Sequence, residues 1–328
     1  MTKGMRLFAG NSHLEFAREV ARLMGQELLE PSLTDDRKKG TQIKWFSNEN
    51  VLVDIKVRVF QDHCFIIQTQ SPNVSEHIIE LLWMVRALRA SQAGNITVVM
   101  PYMPYVRSDK KDHAQVCIGA KLFIDLLIEA GATGLILADP HFAQIHGFAK
   151  TNNFQIETLK AKPIILKHIL ANHDLENTVV LAPDLNEATH SRPMAEMLGL
   201  PIAVIDKRRV ADDEKPEPMG MIGKVRGMHC LAFDDESMSL RTLLEAGKYC
   251  CEKEGALSFS SCITHPILSN LAGLREYQET DYFRKLIVTD SIPVPPEKRI
   301  GKLEFVSLAQ NFADIIDLVN RGINPDEY

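Results

Sequence analysis

Short apolar runs alternate with longer segments of helical period from one end of the chain to the other, a pattern that leaves few ways to fold. Residues 7–9, 64–68, 96–100 and 134–138 read as strands. Between them, residues 14–23, 76–90 and 119–130 place apolar side chains on one helical face, the first through Leu14, Phe16, Ala17, Val20, Ala21 and Leu23. The second half repeats the scheme, with strands at 178–182, 202–205, 230–233, 257–262 and 286–288 and helices at 163–171, 192–198, 240–252 and 308–321. Apolar strands separated by helices of this length predict parallel sheets covered on both faces. The two runs meet near residues 158–162. The expected architecture is therefore α/β, with domains at 1–157 and 158–307, a closing helix at 308–321 packing back on the first, and halves that could be a diverged duplication.

Composition narrows the functional classes. A length of 328 residues suits two domains of roughly 100–200 residues each, and 45% hydrophobic with 24% charged residues excludes a low-complexity chain. The net charge of −6 argues against a broad nucleic-acid surface, while leaving room for a local basic pocket. No apolar run approaches the roughly 18–20 residues of a membrane span, and the N-terminus leads into a strand without a leader profile, so the expectation is a cytoplasmic protein with no membrane and no nucleic-acid partner. Six cysteines, at 64, 117, 230, 250, 251 and 262, form no Cys-x-x-Cys pair. Cys64, Cys117 and Cys230 lie in or beside apolar segments and are expected as buried free thiols.

In open α/β sheets, ligands bind beyond the carboxyl ends of the strands. The polar residues after each strand are Arg107 to Asp109, Asp139 to His141, Asp184, Lys207 to Arg209, and Asp234-Asp235. Walker A, G-x-G-x-x-G and G-x-S-x-G patterns are absent, so any nucleotide is held in another way. Asp234-Asp235 offers several oxygen acceptors, suited to the hydroxyls of a ribose or to a hard cation, or else forms a solvated turn. His141 is a metal ligand or a structural hydrogen-bonding residue. The run Lys207-Arg208-Arg209 is a phosphate clamp or an exposed basic stretch. Position after a strand favours the functional alternative in all three cases.

Over nearly its full length the sequence resembles the ribose-phosphate pyrophosphokinase (PRPP synthetase) family. The resemblance rests on Phe8-Ala9-Gly10-Asn11-Ser12, Phe46-Ser47, the stretch 99–107, Gly119-Ala120-Lys121-Leu122, Asp139-x-His141 and Gln144-Ile145-x-Gly147-Phe148. It continues through Pro183-Asp184, Ile205-Asp206-Lys207-Arg208-Arg209, Asp234-Asp235, Thr264-His265 and Val288-Thr289-Asp290-x-Ile292-Pro293. It implies two phosphoribosyltransferase-like domains, each with a mainly parallel sheet flanked by helices, in a homo-oligomer (dimer or hexamer). The implied reaction moves the β,γ-diphosphoryl group of ATP to the anomeric hydroxyl of ribose 5-phosphate, with Mg2+ as cofactor.

By the same resemblance, Phe46, Asn48, Asn50, Arg107, Ser108, Asp109 and His141 bind ATP. His141 and Asp184 hold magnesium, and Lys207 and Arg209 act on the transferring group. Asp234, Asp235, Ser237, Met238, Ser239, Arg241 and Thr242 hold the ribose acceptor. The loops depart from the family pattern. Where the family has Asp-Asp-x-x-Asp-Thr-(Ala/Cys)-Gly-Thr, this chain has Met238 for the third aspartate and Arg241 for the glycine. The family's Pro-Asp-x-Gly-Gly becomes Pro183-Asp184-Leu185-Asn186-Glu187, Phe-Ser-Asp-Gly-Glu becomes Phe46-Ser47-Asn48-Glu49-Asn50, and Arg-Gln-Asp becomes Arg107-Ser108-Asp109. These changes keep two alternatives open: a larger acceptor such as ADP-ribose in NAD rebuilding, with Arg241 on its diphosphate, or a non-catalytic regulatory paralogue. If the enzyme is active, residues 210–220 are expected to be a mobile clamp.

Overall fold

The computed structural model describes residues 4–32, 40–69, 72–111, 113–149, 153–208 and 217–325. The chain divides into two units, formed by the described residues of Met1–Lys160, Ser291–Pro293 and Ser307–Tyr328, and by those of Ala161–Asp290 and Val294–Val306.

The first unit opens with β1 (Met5–Ala9), α1 (Leu14–Met24) and β2 (Leu28–Leu29). Helix α1 buries Phe16, Ala17, Val20 and Ala21 and ends where Gly25 turns left-handed at φ 62°, a conformation that costs glycine little. Then come β3 (Pro31–Ser32), β4 (Thr41–Trp45), β5 (Val51–Ile55), β6 (His63–Ile67), α2 (Val74–Ala90), β7 (Asn95–Met100), α3 (Gly119–Ala130), β8 (Gly134–Ala138) and β9 (Gln155–Leu159). The main sheet has the order β2-β1-β6-β7-β8-β9, with every neighbour parallel. Strands β6 and β8 are buried at every position, which is why they read as unbroken apolar runs. Strands β3-β4-β5 form a separate small sheet. Its antiparallel β4–β5 hairpin is missing from the sequence reading, because only Thr41 and Ile43 of its residues are buried.

The second unit contains α4 (Lys162–Asn172), β10 (Thr178–Ala182), α5 (Glu187–Leu198), β11 (Ile202–Arg208), β12 (Glu217–Ile222), β13 (His229–Ser237), α6 (Arg241–Lys248), β14 (Ser258–Pro266), α7 (Leu271–Glu279), β15 (Phe283–Thr289) and β16 (Leu303–Val306). Its sheet order is β12-β11-β10-β13-β14-β15-β16, parallel except for the β11–β12 pair. Apart from β12, the strands follow the same spatial sequence as in the first unit, the pattern a duplicated ancestor would leave. The last helix, α8 (Ala309–Asn320), belongs to the first unit, where the ring of Phe312 meets Phe16 edge-on at 5.5 Å. Among the described residues no helix is long and apolar enough to cross a membrane.

Three details correct the sequence reading. The helix expected over 240–252 stops at Lys248 and continues as one wider turn, Tyr249–Lys253. The strand expected to end at Phe233 runs on to Ser237, because β14 still pairs with it at Glu236↔His265 and Ser237↔Pro266. Cys117 is exposed, whereas Cys64 and Cys230 are buried. Of the stretch expected as a mobile clamp, residues 217–220 belong to β12, paired with β11, and 210–216 lie outside the described residues.

Candidate active site

In the second unit, the chain leaves β10 to one side through α5 and β11 and resumes on the other side with β13. The carboxyl ends of β10 and β13 therefore flank the point where strand order reverses, where open α/β sheets hold their ligands. The β10–β13 ladder ends at Leu181↔Ala232, while the β13–β14 ladder continues to Ser237↔Pro266. Asp234 and Asp235 sit on the length of β13 that has parted from β10. They lie within the strand rather than in a turn after it, so backbone pairing holds them in place.

Burial raises the Asp234 carboxyl to about 8, and the neighbouring charge of Asp235, a hydrogen bond with it, and the charge of Glu187 act in the same direction. Glu187 opens α5. It stands where the family pattern has glycine, and its effect is to add negative charge to the carboxylate pair. Asp184 has a use of its own: Oδ1 accepts the backbone N–H groups of Asn186 and Glu187, each at 2.9 Å. It thereby satisfies two of the donors that a helix leaves open at its start.

The acceptor segment after β13 is pinned from behind. The carbonyl of Ser237 accepts the N–H of Leu268, and that of Met238 accepts both the N–H and the hydroxyl of Ser269. The Ser239 carbonyl lies 2.9 Å from where a Cβ on Gly273 would stand, so no larger residue fits at 273 without a shift. Ser269 and Gly273 thus shape the loop, and nothing in their local sequence marks them for it. Met238 is exposed and Ser239 partly so. Arg241 and Thr242 begin α6 and are exposed. Arg241 Nε donates to Glu245 Oε1 at 2.9 Å, with 57% and 52% of the two side chains exposed. The arginine is thus turned along its own helix and already paired. The backbone of Lys207 lies in β11 opposite Pro218, beside a register shift between Asp206 and Lys207. Arg209 lies outside the described residues.

The candidate ATP residues belong to the first unit. Phe46, Asn48 and Asn50 form the exposed tip of the β4–β5 hairpin, closed by Phe46 N–H to the Asn50 carbonyl at 2.8 Å and Asn50 N–H to Asn48 Oδ1 at 3.2 Å. Glu49 occupies the family's glycine position at φ 63°, so the turn keeps a left-handed shape that its own residue does not favour. Lys44 Nζ stands 5.3 Å from the centre of the Phe46 ring. Arg107, Ser108 and Asp109 follow β7. The Ser108 hydroxyl donates to the Cys117 carbonyl and accepts the Gly119 N–H, both at 3.0 Å, which fastens this loop to the start of α3. His141 is exposed after β8, the strand beside β7, so it shares the sheet's carboxyl edge with Arg107.

The corresponding reversal point in the first unit, between β1 and β6, is filled by the chain itself. Glu80, 2% exposed, accepts the Asn11 N–H and Nδ2 at 2.7 Å and Gln68 Nε2 at 2.8 Å. Gln68 Oε1 in turn accepts from the Ser12 hydroxyl at 2.6 Å. There the carboxylate is consumed by the chain's own donors, whereas the second unit presents the Asp234-Asp235 pair at its crevice.

A strand order used twice, each time with a parallel sheet between helices, defines a two-domain protein of the phosphoribosyltransferase-like class. Residues 5–131 match the family described as the N-terminal domain of ribose phosphate pyrophosphokinase. The ribose-phosphate pyrophosphokinase of Bacillus subtilis (strain 168) is 36% identical over 314 residues, 96% of this chain and 93% of that protein. Ribose-phosphate pyrophosphokinase 1 of Listeria monocytogenes (strain EGD-e) is 35% identical over 318 residues, 97% of this chain and 95% of that one. The crystal structure of phosphoribosylpyrophosphate synthetase from Mycobacterium smegmatis superposes with a TM-score of 0.86 at 28% identity, covering 98% of this chain and 100% of that chain. The chain belongs to the ribose-phosphate pyrophosphokinase family.

Proposed function

We propose that this chain transfers the β,γ-diphosphoryl group of ATP to the anomeric hydroxyl of ribose 5-phosphate, giving PRPP and AMP. The observation that carries the reading is the Asp234-Asp235 pair, held in β13 where that strand parts from β10. The oxygens of the two carboxyl groups there accept hydrogen bonds from vicinal ribose hydroxyls and so fix the sugar for attack on the β-phosphorus. A bond forms between the anomeric oxygen and that phosphorus, the hydroxyl proton passes to water, and the bond to the oxygen retained by AMP breaks. Chemistry of this kind rests on positioning and on neutralising spread charge, a task that falls to Lys207 and Arg209.

Phe46, Asn48, Asn50, Arg107, Asp109 and His141 hold the nucleotide, while Ser108 serves the same loop from behind. Magnesium fits the donors present. Asp184 retains Oδ2 beyond its two backbone bonds, and the crowded carboxylates Asp234, Asp235 and Glu187 are oxygen donors of the kind hard cations take. We assign Asp184 and His141 to the metal, which when bound offsets charge on the phosphates. By the same resemblance, the assembly is a homo-oligomer.

The test is direct. Purified protein with Mg-ATP and ribose 5-phosphate should release AMP and PRPP in equal amounts. Absence of AMP at high protein concentration would overturn the reading and favour a non-catalytic role.

A further inference from the structure

The C-terminal end of α4 carries a second cluster of ligating groups that the transfer reaction does not use. His168 Nε2 and His173 Nε2 lie 2.7 and 2.8 Å from one oxygen, Glu304 Oε1. The three potential ligand atoms fall within 4.8 Å of one another. Local structure makes this possible. His168 lies one turn before the end of α4, and His173 caps the helix in extended conformation, φ −124° and ψ 139°. The two rings end 6.0 Å apart. Glu304 comes from the edge strand β16, opposite Ile287. The three side chains are a fifth to a quarter exposed, and a cavity of about 270 Å³ lined in part by His173, Lys285 and His229 reaches His173 from outside.

We propose that His168, His173 and Glu304 bind a divalent transition metal of the zinc class, which fastens the end of α4 to β16. Two imidazoles and one carboxylate, with water as the fourth ligand, suit zinc or cobalt; a set in which nitrogen outnumbers carboxylate is a poor one for magnesium, whose shell is mostly oxygen. Glu304 faces both imidazoles through Oε1 and Lys285 through Oε2, so the carboxyl group already stands between the two other donors. Lys285 Nζ takes the other oxygen, Oε2, at 3.1 Å and leaves Oε1 to the metal. The lysine charge opposes the cation, so micromolar rather than nanomolar affinity is expected.

On the other side of the ring, Asn172 Nδ2 donates to the His168 carbonyl at 2.8 Å and approaches His168 Nδ1 at 3.3 Å. A metal on Nε2 of the neutral imidazole leaves the ring proton on Nδ1, the side where Asn172 stands, and metal-bound histidines commonly have a polar neighbour there. Metal–ligand bonds of about 2.0–2.1 Å at tetrahedral angles require the nitrogen–oxygen separations to open to about 3.3 Å, which side-chain rotation supplies.

The experiment is a Co2+ titration of the full chain in excess Mg2+, read by visible absorption. The wild type should take up one equivalent with the strong bands of four-coordinate, nitrogen-ligated cobalt, and Zn2+ should displace it. His168→Gln and His173→Gln each keep a donor for Glu304, so the fold survives, and each should weaken binding by about tenfold or more. His113→Gln serves as a control. If the wild type shows only the faint bands of six-coordinate cobalt, or both glutamine variants bind as it does, the site does not exist.

Discussion

The carboxylate of Asp184 accepts the backbone N–H of Glu187 at 2.9 Å, and through the same oxygen that of Asn186. The first acidic residue after β10 therefore shapes the start of α5 before it meets any ligand. Its other oxygen, Oδ2, takes no part in these two bonds. A structural role and a ligand role can be separated because asparagine keeps an acceptor oxygen but loses the charge.

Asp184→Asn should retain the melting temperature to within a degree or two, while Asp184→Ala should lower stability by about 1 kcal/mol, the usual cost of a lost helix cap. Both should lose turnover at limiting magnesium. Thermal melts run beside steady-state rates check this. Full activity of the asparagine variant would remove Asp184 from the metal role and leave it as a cap alone.

Asp234 carries a pH signature. Burial first, then Asp235 and Glu187, raises its carboxyl in the folded protein from 3.8 to about 8. Between those values the folded state keeps a proton that the unfolded chain releases, so stability contributed by this group falls as pH rises. In chelator, the difference in melting temperature between wild type and Asp234→Asn should shift against the wild type from pH 4 towards about 8. A difference that stays flat with pH would show that Asp234 is ionised throughout.

At the hairpin tip, Glu49 holds a left-handed backbone at φ 63°. Replacing it with glycine removes a steric cost of roughly 1–2 kcal/mol, partly offset by the greater freedom of glycine in the unfolded chain. Glu49→Gly should therefore be neutral or stabilising in chemical denaturation. A loss of more than about 1 kcal/mol would mean that the Glu49 side chain contributes contacts to the hairpin.

Arg241 and Glu245 form an exposed pair one helical turn apart, a contact worth about 0.3–0.5 kcal/mol. Arg241→Ala should change stability by no more than that and leave the KM for ribose 5-phosphate unchanged. If an acceptor with a longer 5′ group were the true substrate, loss of a charged hydrogen bond of about 1.5–3 kcal/mol would raise its KM about 10- to 150-fold. Kinetics with ribose 5-phosphate and ADP-ribose side by side separate the two.

The buried strands were legible because parallel strands covered on both faces become apolar runs, and residues 134–138 and 178–182 match β8 and β10 end for end. The β4–β5 hairpin was not legible, since its stability comes from pairing rather than from burial. The polar stretch from Asp234 to Ser237 looked like a loop for the complementary reason: its partner strand β14 is distant in sequence, and register cannot be read from one strand alone. Within the candidate site, the residue types after each strand were visible in sequence. The Asp184 cap, the Arg241–Glu245 pairing and the hold of Ser269 and Gly273 on the acceptor loop depend on geometry, and no motif announces them.

Phosphorus NMR of the product mixture tests the transfer reaction most directly, because it reports donor, acceptor and transferred group together. With Mg-ATP and ribose 5-phosphate, the three ATP resonances should give way to AMP and to a diphosphate joined to the sugar, while the 5′-phosphate signal persists. Formation of ADP with a second sugar monophosphate, or an unchanged ATP spectrum at high protein concentration, would contradict diphosphoryl transfer by this chain.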